Sequence, residues 1–144
     1  MNKELDKLLC ANYPKIFARR QVKDSTMHFG FCCGDGWFNL IDGLCTSLQY
    51  LTDYRGTPQP EAVQVKEKFG RLRFYITCGE DEMTEAQSSV IDLARILSAH
   101  ICEECGCPGR IAANGGWWTV RCPAHEPEGS LSPEEYVTAR EAGR

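Results

Sequence analysis

The stretch from Cys102 to His125 constrains this chain more than any other. It reads C-x2-C, then sixteen residues (106–121), then C-x2-H. Cys102, Cys105, Cys122 and His125 are four soft or borderline donors in two pairs, a spacing that lets two turns close one tetrahedron. "CEECG" reads as a zinc knuckle closed by Gly106, with backbone N–H groups also facing the thiolates. The intervening "RIAANGGWWTVR" reads as a hairpin with Asn114-Gly115 as its type I′ turn. The pattern predicts one zinc ion. Four protein ligands leave no open position for a substrate water, so the ion is expected to be structural. Cys107 is two residues past Cys105, but a knuckle already filled by Cys102 and Cys105 points it elsewhere; His100, just before the knuckle, could substitute as a ligand. A redox reading of the C-x2-C pair lacks the βαβ context that such motifs occupy.

The remaining cysteines support localised chemistry. Nine cysteines cannot all pair within one chain. The charged start "MNKELDKLLC" has no apolar signal-peptide run, and no stretch approaches the roughly 18 apolar residues of a membrane span. These features predict a protein kept in a reducing cytoplasm, away from membranes, where clustered cysteines mean metal or catalysis more often than disulfides. Cys45 falls on an apolar helical stripe and reads as core, and Cys10 and Cys78 end apolar segments. Cys32-Cys33 could join His28 in a second site. Burial of one and exposure of the other is the simpler reading.

The pattern along the chain is α+β. Leu5, Leu8 and Leu9 predict a short helix ending before Tyr13-Pro14. Arg19 to Gly34 has no clean period. In "GDGWFNLIDGLCTSLQYLTDYRG", Trp37, Leu40, Ile41, Leu44, Leu48 and Leu51 hold one helical face, with Asp35 as N-cap and Gly56 at the C-terminus. "VQVKEKFGRLRFYIT" then switches to period 2, a hairpin turning at Phe69-Gly70. That turn pairs Val63 with Ile76, Val65 with Phe74 and Glu67 with Leu72 on the core face, Glu67 at its rim. Thr84 and Gln87 form a capping box for a helix to about Ile101, with Ala86, Val90, Leu93, Ala94, Leu97 and Ile101 inward. Ser132, Pro133 and Glu135 start a brief tail helix. The expected architecture is two main amphipathic helices packed on an antiparallel hairpin, followed by a zinc-knuckle or zinc-ribbon-like (treble-clef-like) unit. The expected divisions are 1–98, 99–127 and 128–144.

Two surfaces suggest contact. Lys66, Lys68, Arg71 and Arg73 share the polar hairpin face with Tyr75, a set that can meet phosphates or an acidic protein. It also suits a solvated face that guards against edge pairing. Of Trp117 and Trp118, one must face away from the core, and exposed tryptophan is enriched at binding hot spots. "GDGW" lacks the Lys-Ser/Thr of a phosphate loop. No hydrolase, zincin or deaminase motif appears, and the carboxylates form no obvious pair, so the chain is not expected to be an enzyme. The net charge of −4 argues against general polyanion binding.

"GDGWFNLIDGLC", "VQVKEKFGRLRFYI" and "CEECGCPGR…GGWWTVRCPAH", in that order, resemble a group of small proteins of tailed phages and prophages. The resemblance covers residues 28–125 and implies a phage-encoded protein acting in a bacterial cytoplasm. It points to a non-enzymatic accessory protein that binds a host protein complex, for instance a counter-defence inhibitor of the anti-CRISPR kind. The alternative is a zinc-stabilised nucleic-acid-binding or regulatory protein using the basic hairpin face.

Overall fold

The computed structural model describes residues 1–143 and is α+β, with four helices and two antiparallel hairpins. Helix α1 (Lys3–Asn12) begins where the Asn2 side chain accepts the N–H groups of Glu4 and Leu5, both at 3.0 Å. Such a cap satisfies donors that the first helical turn would leave unpaired. Three single 3-10 turns follow, at Ala18–Gln21, Thr26–Phe29 and Asp35–Trp37. Helix α2 (Phe38–Arg55) buries Ile41, Leu44, Cys45 and Leu48 and ends on left-handed Gly56. Asp35 does not cap it. Its carboxylate instead accepts the backbone N–H of Asn2 at 2.6 Å and the Asn2 side-chain amide at 2.7 Å, tying α1 to the start of α2.

Strands β1 (Glu61–Glu67) and β2 (Leu72–Thr77) pair antiparallel. Phe69 and Gly70 have φ of 54° and 70°, the conformation of a type I′ turn, and Lys68 and Arg71 exchange both backbone hydrogen bonds around them. Val65 faces Phe74 and Glu67 faces Leu72. One pair differs from the expectation: Ala62, not Val63, lies opposite Ile76, because the register slips at Val63. Val63 is the extra residue of this bulge, and its carbonyl accepts the Thr26 hydroxyl.

Helix α3 (Glu85–Ser98) carries the capping box of Thr84 and Gln87. It stops three residues short of Ile101, and its buried residues are Gln87, Ala94 and Ser98. Ala86, Leu93 and Leu97 are exposed, which corrects the inward face read from the sequence. Of these buried residues, Gln87 donates to the Pro58 carbonyl at 2.7 Å, and the two leucines are left on the flank. Ser98 Oγ sits near enough to β2 to accept the Leu72 N–H at 2.9 Å.

Strands β3 (Arg110–Asn114) and β4 (Trp117–Arg121) form the second hairpin. Its turn is Gly115-Gly116, with φ of 55° and 87°, not Asn114-Gly115. Asn114 stays in the strand opposite Trp117, and its side chain donates to the Glu128 carbonyl at 3.0 Å. Helix α4 (Pro133–Ala142) begins with the capping box of Ser132 and Glu135. The tail reaches the hairpin through two backbone bonds between Ala113 and Leu131. A single apolar cluster runs through Leu9, Trp37, Leu48, Val65, Phe74 and Val120. Among the described residues, no helix is long and apolar enough to cross a membrane.

Candidate metal centre and contact surfaces

Cys102, Cys105, Cys122 and His125 meet with their ligand atoms all within 4.8 Å of one another, a cluster that can hold a metal ion. Cys105 Sγ lies 3.7 Å from Cys122 Sγ. His125 Nδ1 lies 3.7 Å from Cys102 Sγ and 3.3 Å from Cys122 Sγ. A tetrahedral ion bound at about 2.3 Å by sulfur and about 2.05 Å by nitrogen requires S–S edges of about 3.8 Å and S–N edges of about 3.6 Å. Those three edges lie within about 0.3 Å of these values, and the remaining ones within 4.8 Å. Burial opposes ionisation of Cys102, but the backbone N–H groups of Cys105, Cys122 and Glu104 outweigh it and draw the thiol down to about 6. Cys105 and Cys122 are pushed up. A cation binding here must displace the thiol protons, so metal affinity falls as pH falls.

The knuckle is seated on the "GDGW" segment, residues 34–37. Gly36 N donates to the Glu103 carbonyl at 2.8 Å, and Gly34 N donates to Glu103 Oε1 at 2.9 Å. Trp37, fully buried, donates from Nε1 to the Ile101 carbonyl at 2.8 Å. The two glycines are steric requirements. A Cβ on Gly36 would lie 2.2 Å from Cys102 O, 2.5 Å from Gly106 N and 2.7 Å from Cys105 N, and one on Gly34 would lie 2.2 Å from Glu103 O. Glu103 completes the seam, its other carboxylate oxygen 3.2 Å from Arg121 on β4. A glycine pair flanking one residue was the available sequence signal for this close approach. Nothing in the sequence singled out Glu103.

The other candidate ligands lie apart. Cys107 and His100 are exposed and outside the cluster, though the Cys107 carbonyl closes the knuckle by accepting the Cys102 N–H at 2.7 Å. Cys33 is buried, which pushes its thiol up to about 12, and Cys32 and His28 are exposed. Among the described residues no second cluster forms around them.

Lys66, Lys68, Arg71 and Arg73 have no ion-pair partner among the described residues, whereas Arg19, Arg20, Arg95, Arg110 and Arg121 all do. Lys66 lies over the Tyr75 ring at 5.9 Å, and Lys68 over Phe69 at 5.3 Å. Glu67 accepts the Gly70 N–H at 2.6 Å, and burial raises its carboxyl despite that bond. Trp117 is 80% exposed. Trp118 packs edge-to-face on Tyr136 of α4, centroids 5.2 Å apart. Phe69 is 63% exposed and is the one non-glycine residue with positive φ among those described. It lines a hollow of about 420 Å³ with Gly116, Trp118, Tyr136 and Val137, so the two hairpin tips stand side by side. Phe69 and Tyr136 were absent from the sequence-derived surface. The left-handed requirement of a Phe-Gly turn was the signal for the first.

The fold and the cluster define an α+β protein with a Cys3His cluster able to hold a metal ion. No protein-family model, curated protein or solved structure matches the chain.

Proposed function

We propose that Cys102, Cys105, Cys122 and His125 hold a structural zinc, and that the protein is a non-enzymatic binding module whose target is a protein. The donor set suits zinc, which takes three thiolates and an imidazole in a closed tetrahedron. When bound, the ion supplies a cross-link between the knuckle and the end of β4, and the chain's own residues make the contact surface. One zinc per chain by elemental analysis, lost with the thermal midpoint in Cys105→Ser, is the expected result. Metal retained at full stoichiometry in Cys105→Ser would overturn the ligand assignment.

The observation that carries the binding reading is the paired hairpin tips. Phe69 adopts an unfavourable left-handed φ and stays exposed beside the Trp118–Tyr136 pair, and Trp117 on the neighbouring hairpin is itself exposed. A bulky residue at positive φ costs on the order of 1 kcal/mol. Exposed aromatics bring no compensating burial unless a partner covers them. The resemblance to tailed-phage proteins supports a host protein complex as the target and counter-defence inhibition as the outcome. The test is capture from bacterial lysate with and without nuclease. Capture should survive nuclease and fall sharply with Trp117→Ala.

A second reading rests on the four unpaired cations. If the basic face bound single-stranded nucleic acid, affinity would fall with salt at a log–log slope of about −0.7 per phosphate neutralised. Charge reversal at Lys66, Lys68, Arg71 and Arg73 would abolish it.

A further inference from the structure

The two edges of the first hairpin are treated differently. On β1, Cys32 N donates to the Val65 carbonyl at 3.0 Å, Glu67 N to the Cys32 carbonyl at 2.9 Å, and Ala62 N to the Ile16 carbonyl at 2.7 Å, so that edge is covered. On β2, the Lys68–Arg71 bonds set the phase of the ladder. Arg73 and Tyr75 therefore bond to β1, and Leu72, Phe74 and Ile76 turn their N–H and C=O groups away from it. Ser98 takes the Leu72 N–H. No group among the described residues takes the N–H of Phe74 or Ile76. They border a groove of about 340 Å³ between β2 and α3, lined by Phe74, Ile76, Met83, Ile91, Arg73 and Arg95. Its charge is graded. Arg71 and Arg73 are unpaired at the Leu72 end, Arg95 is neutralised by Asp92, and exposed Glu80, Asp81 and Glu82 stand beyond the Ile76 end.

We propose that the β2 edge accepts an extended peptide segment of a partner protein, acidic where it passes Arg71 and Arg73 and apolar where it meets Met83 and Ile91. Main-chain bonds to Phe74 and Ile76 hold the segment as a third strand. Strand alternation then sends one set of its side chains onto the cationic face and the other set into the groove. The acidic residues at 80–82 repel negative charge there and confine it to the Leu72 end. This site rests on the protein-partner reading and adds a contact separate from the hairpin tips.

The probe is an alternating Glu-Val octapeptide titrated into the full-length metal-loaded protein, with the Lys-Val isomer as control. Saturable amide shifts and slowed exchange at Phe74 and Ile76 are expected for Glu-Val alone, with binding weakened about tenfold or more by Arg73→Glu and by Ile76→Pro. Proline is tolerated at position 76 because that N–H makes no bond to β1. Should that variant fail to fold, Met83→Glu, at an exposed position, must produce the same loss. Shifts confined to Lys66 and Lys68 with Phe74 and Ile76 unmoved, or no saturable binding, would overturn the proposal. A concentration-dependent dimer abolished by Ile76→Pro would also overturn it, by assigning the edge to a second copy. Failure here with Trp117-dependent capture intact sinks the β2 site alone; loss of both sinks the partner reading.

Discussion

Replacing Gly36 with alanine tests the seam between the "GDGW" segment and the knuckle most directly. The added methyl would meet three backbone atoms at 2.2, 2.5 and 2.7 Å, and none can swing aside as a side-chain terminus would. Restoring ordinary contact requires the segment and knuckle to part by roughly 1 Å, enough to break bonds now 2.8 and 2.9 Å long. The loss is about 1 kcal/mol for the Gly36–Glu103 backbone bond and about 2 kcal/mol for the Gly34 bond to a carboxylate. Overpacking strain adds about 1–3 kcal/mol. The sum is roughly 4–6 kcal/mol, a fall in thermal midpoint of roughly 13–20 °C for a chain of this size. Gly43 is the control. It lies inside α2 with nothing within 4 Å of its missing Cβ, so Gly43→Ala should add about 0.5–1 kcal/mol by helix propensity alone. Thermal and urea melts decide the matter, with metal content measured alongside. A Gly36→Ala protein that melts within about 2 °C of the parent would refute the steric argument.

Other perturbations probe separate parts of the structure. Phe69→Asn should stabilise the first hairpin by about 1 kcal/mol, since Asn-Gly suits a type I′ turn, while weakening partner capture; a variant that is more stable and captures fully would remove Phe69 from the contact surface. Val65→Asp, at a fully buried position, should cost several kcal/mol in a urea melt because its carboxylate has no partner there. Trp37→Phe leaves the Ile101 carbonyl without its donor and should cost about 1–3 kcal/mol, with a matching fall in metal affinity. Asp35 is held below the usual carboxylate range first by the Asn2 N–H and then by the Asn2 amide. A carboxyl lowered in the folded state contributes fully above its unfolded value near 3.9, and the contribution fades as pH falls through the folded value. Asp35→Ala should therefore destabilise at neutral pH and converge with the parent at the acid end of a pH-dependent melt series.

Local spacing made the Cys102, Cys105, Cys122 and His125 cluster legible, because two turns and a hairpin bring these four side chains together. The first hairpin was legible for a similar reason: a period of 2 around Phe69-Gly70 fixes both faces. Long-range contacts decided the errors. Ala62 and Val63 are both apolar, so pattern alone cannot tell which lies opposite Ile76 once Val63 bulges toward Thr26. "NGG" offers two type I′ turns, and the choice rests on Asn114 reaching the Glu128 carbonyl in the tail. Asp35 has the composition of an N-cap, but Asn2 from another helix takes its carboxylate. In α3, apolar periodicity put Ala86, Leu93, Ala94 and Leu97 on one inward face, but the buried residues are Gln87, Ala94 and Ser98, held by contacts to Pro58 and Leu72 that the helix's own pattern does not show.

The metal cluster and the aromatic surface are parts of one arrangement. The β1–β2 tip is built locally, but its neighbour reaches it only because the knuckle is fixed to residues 34–37 and to the core through Val120. Gly70 then packs on Ile111 of β3, with 3.2 Å between that side chain and the place a Cβ would occupy, and Phe69 shares its hollow with Gly116 and Trp118. Loosening the knuckle frees β3 and β4 from the first hairpin and separates Phe69 from Trp118. Partner capture should accordingly depend on metal even though no ligand residue lies in the aromatic surface. Chelation that removes the ion and leaves capture intact would mean that the first hairpin binds alone.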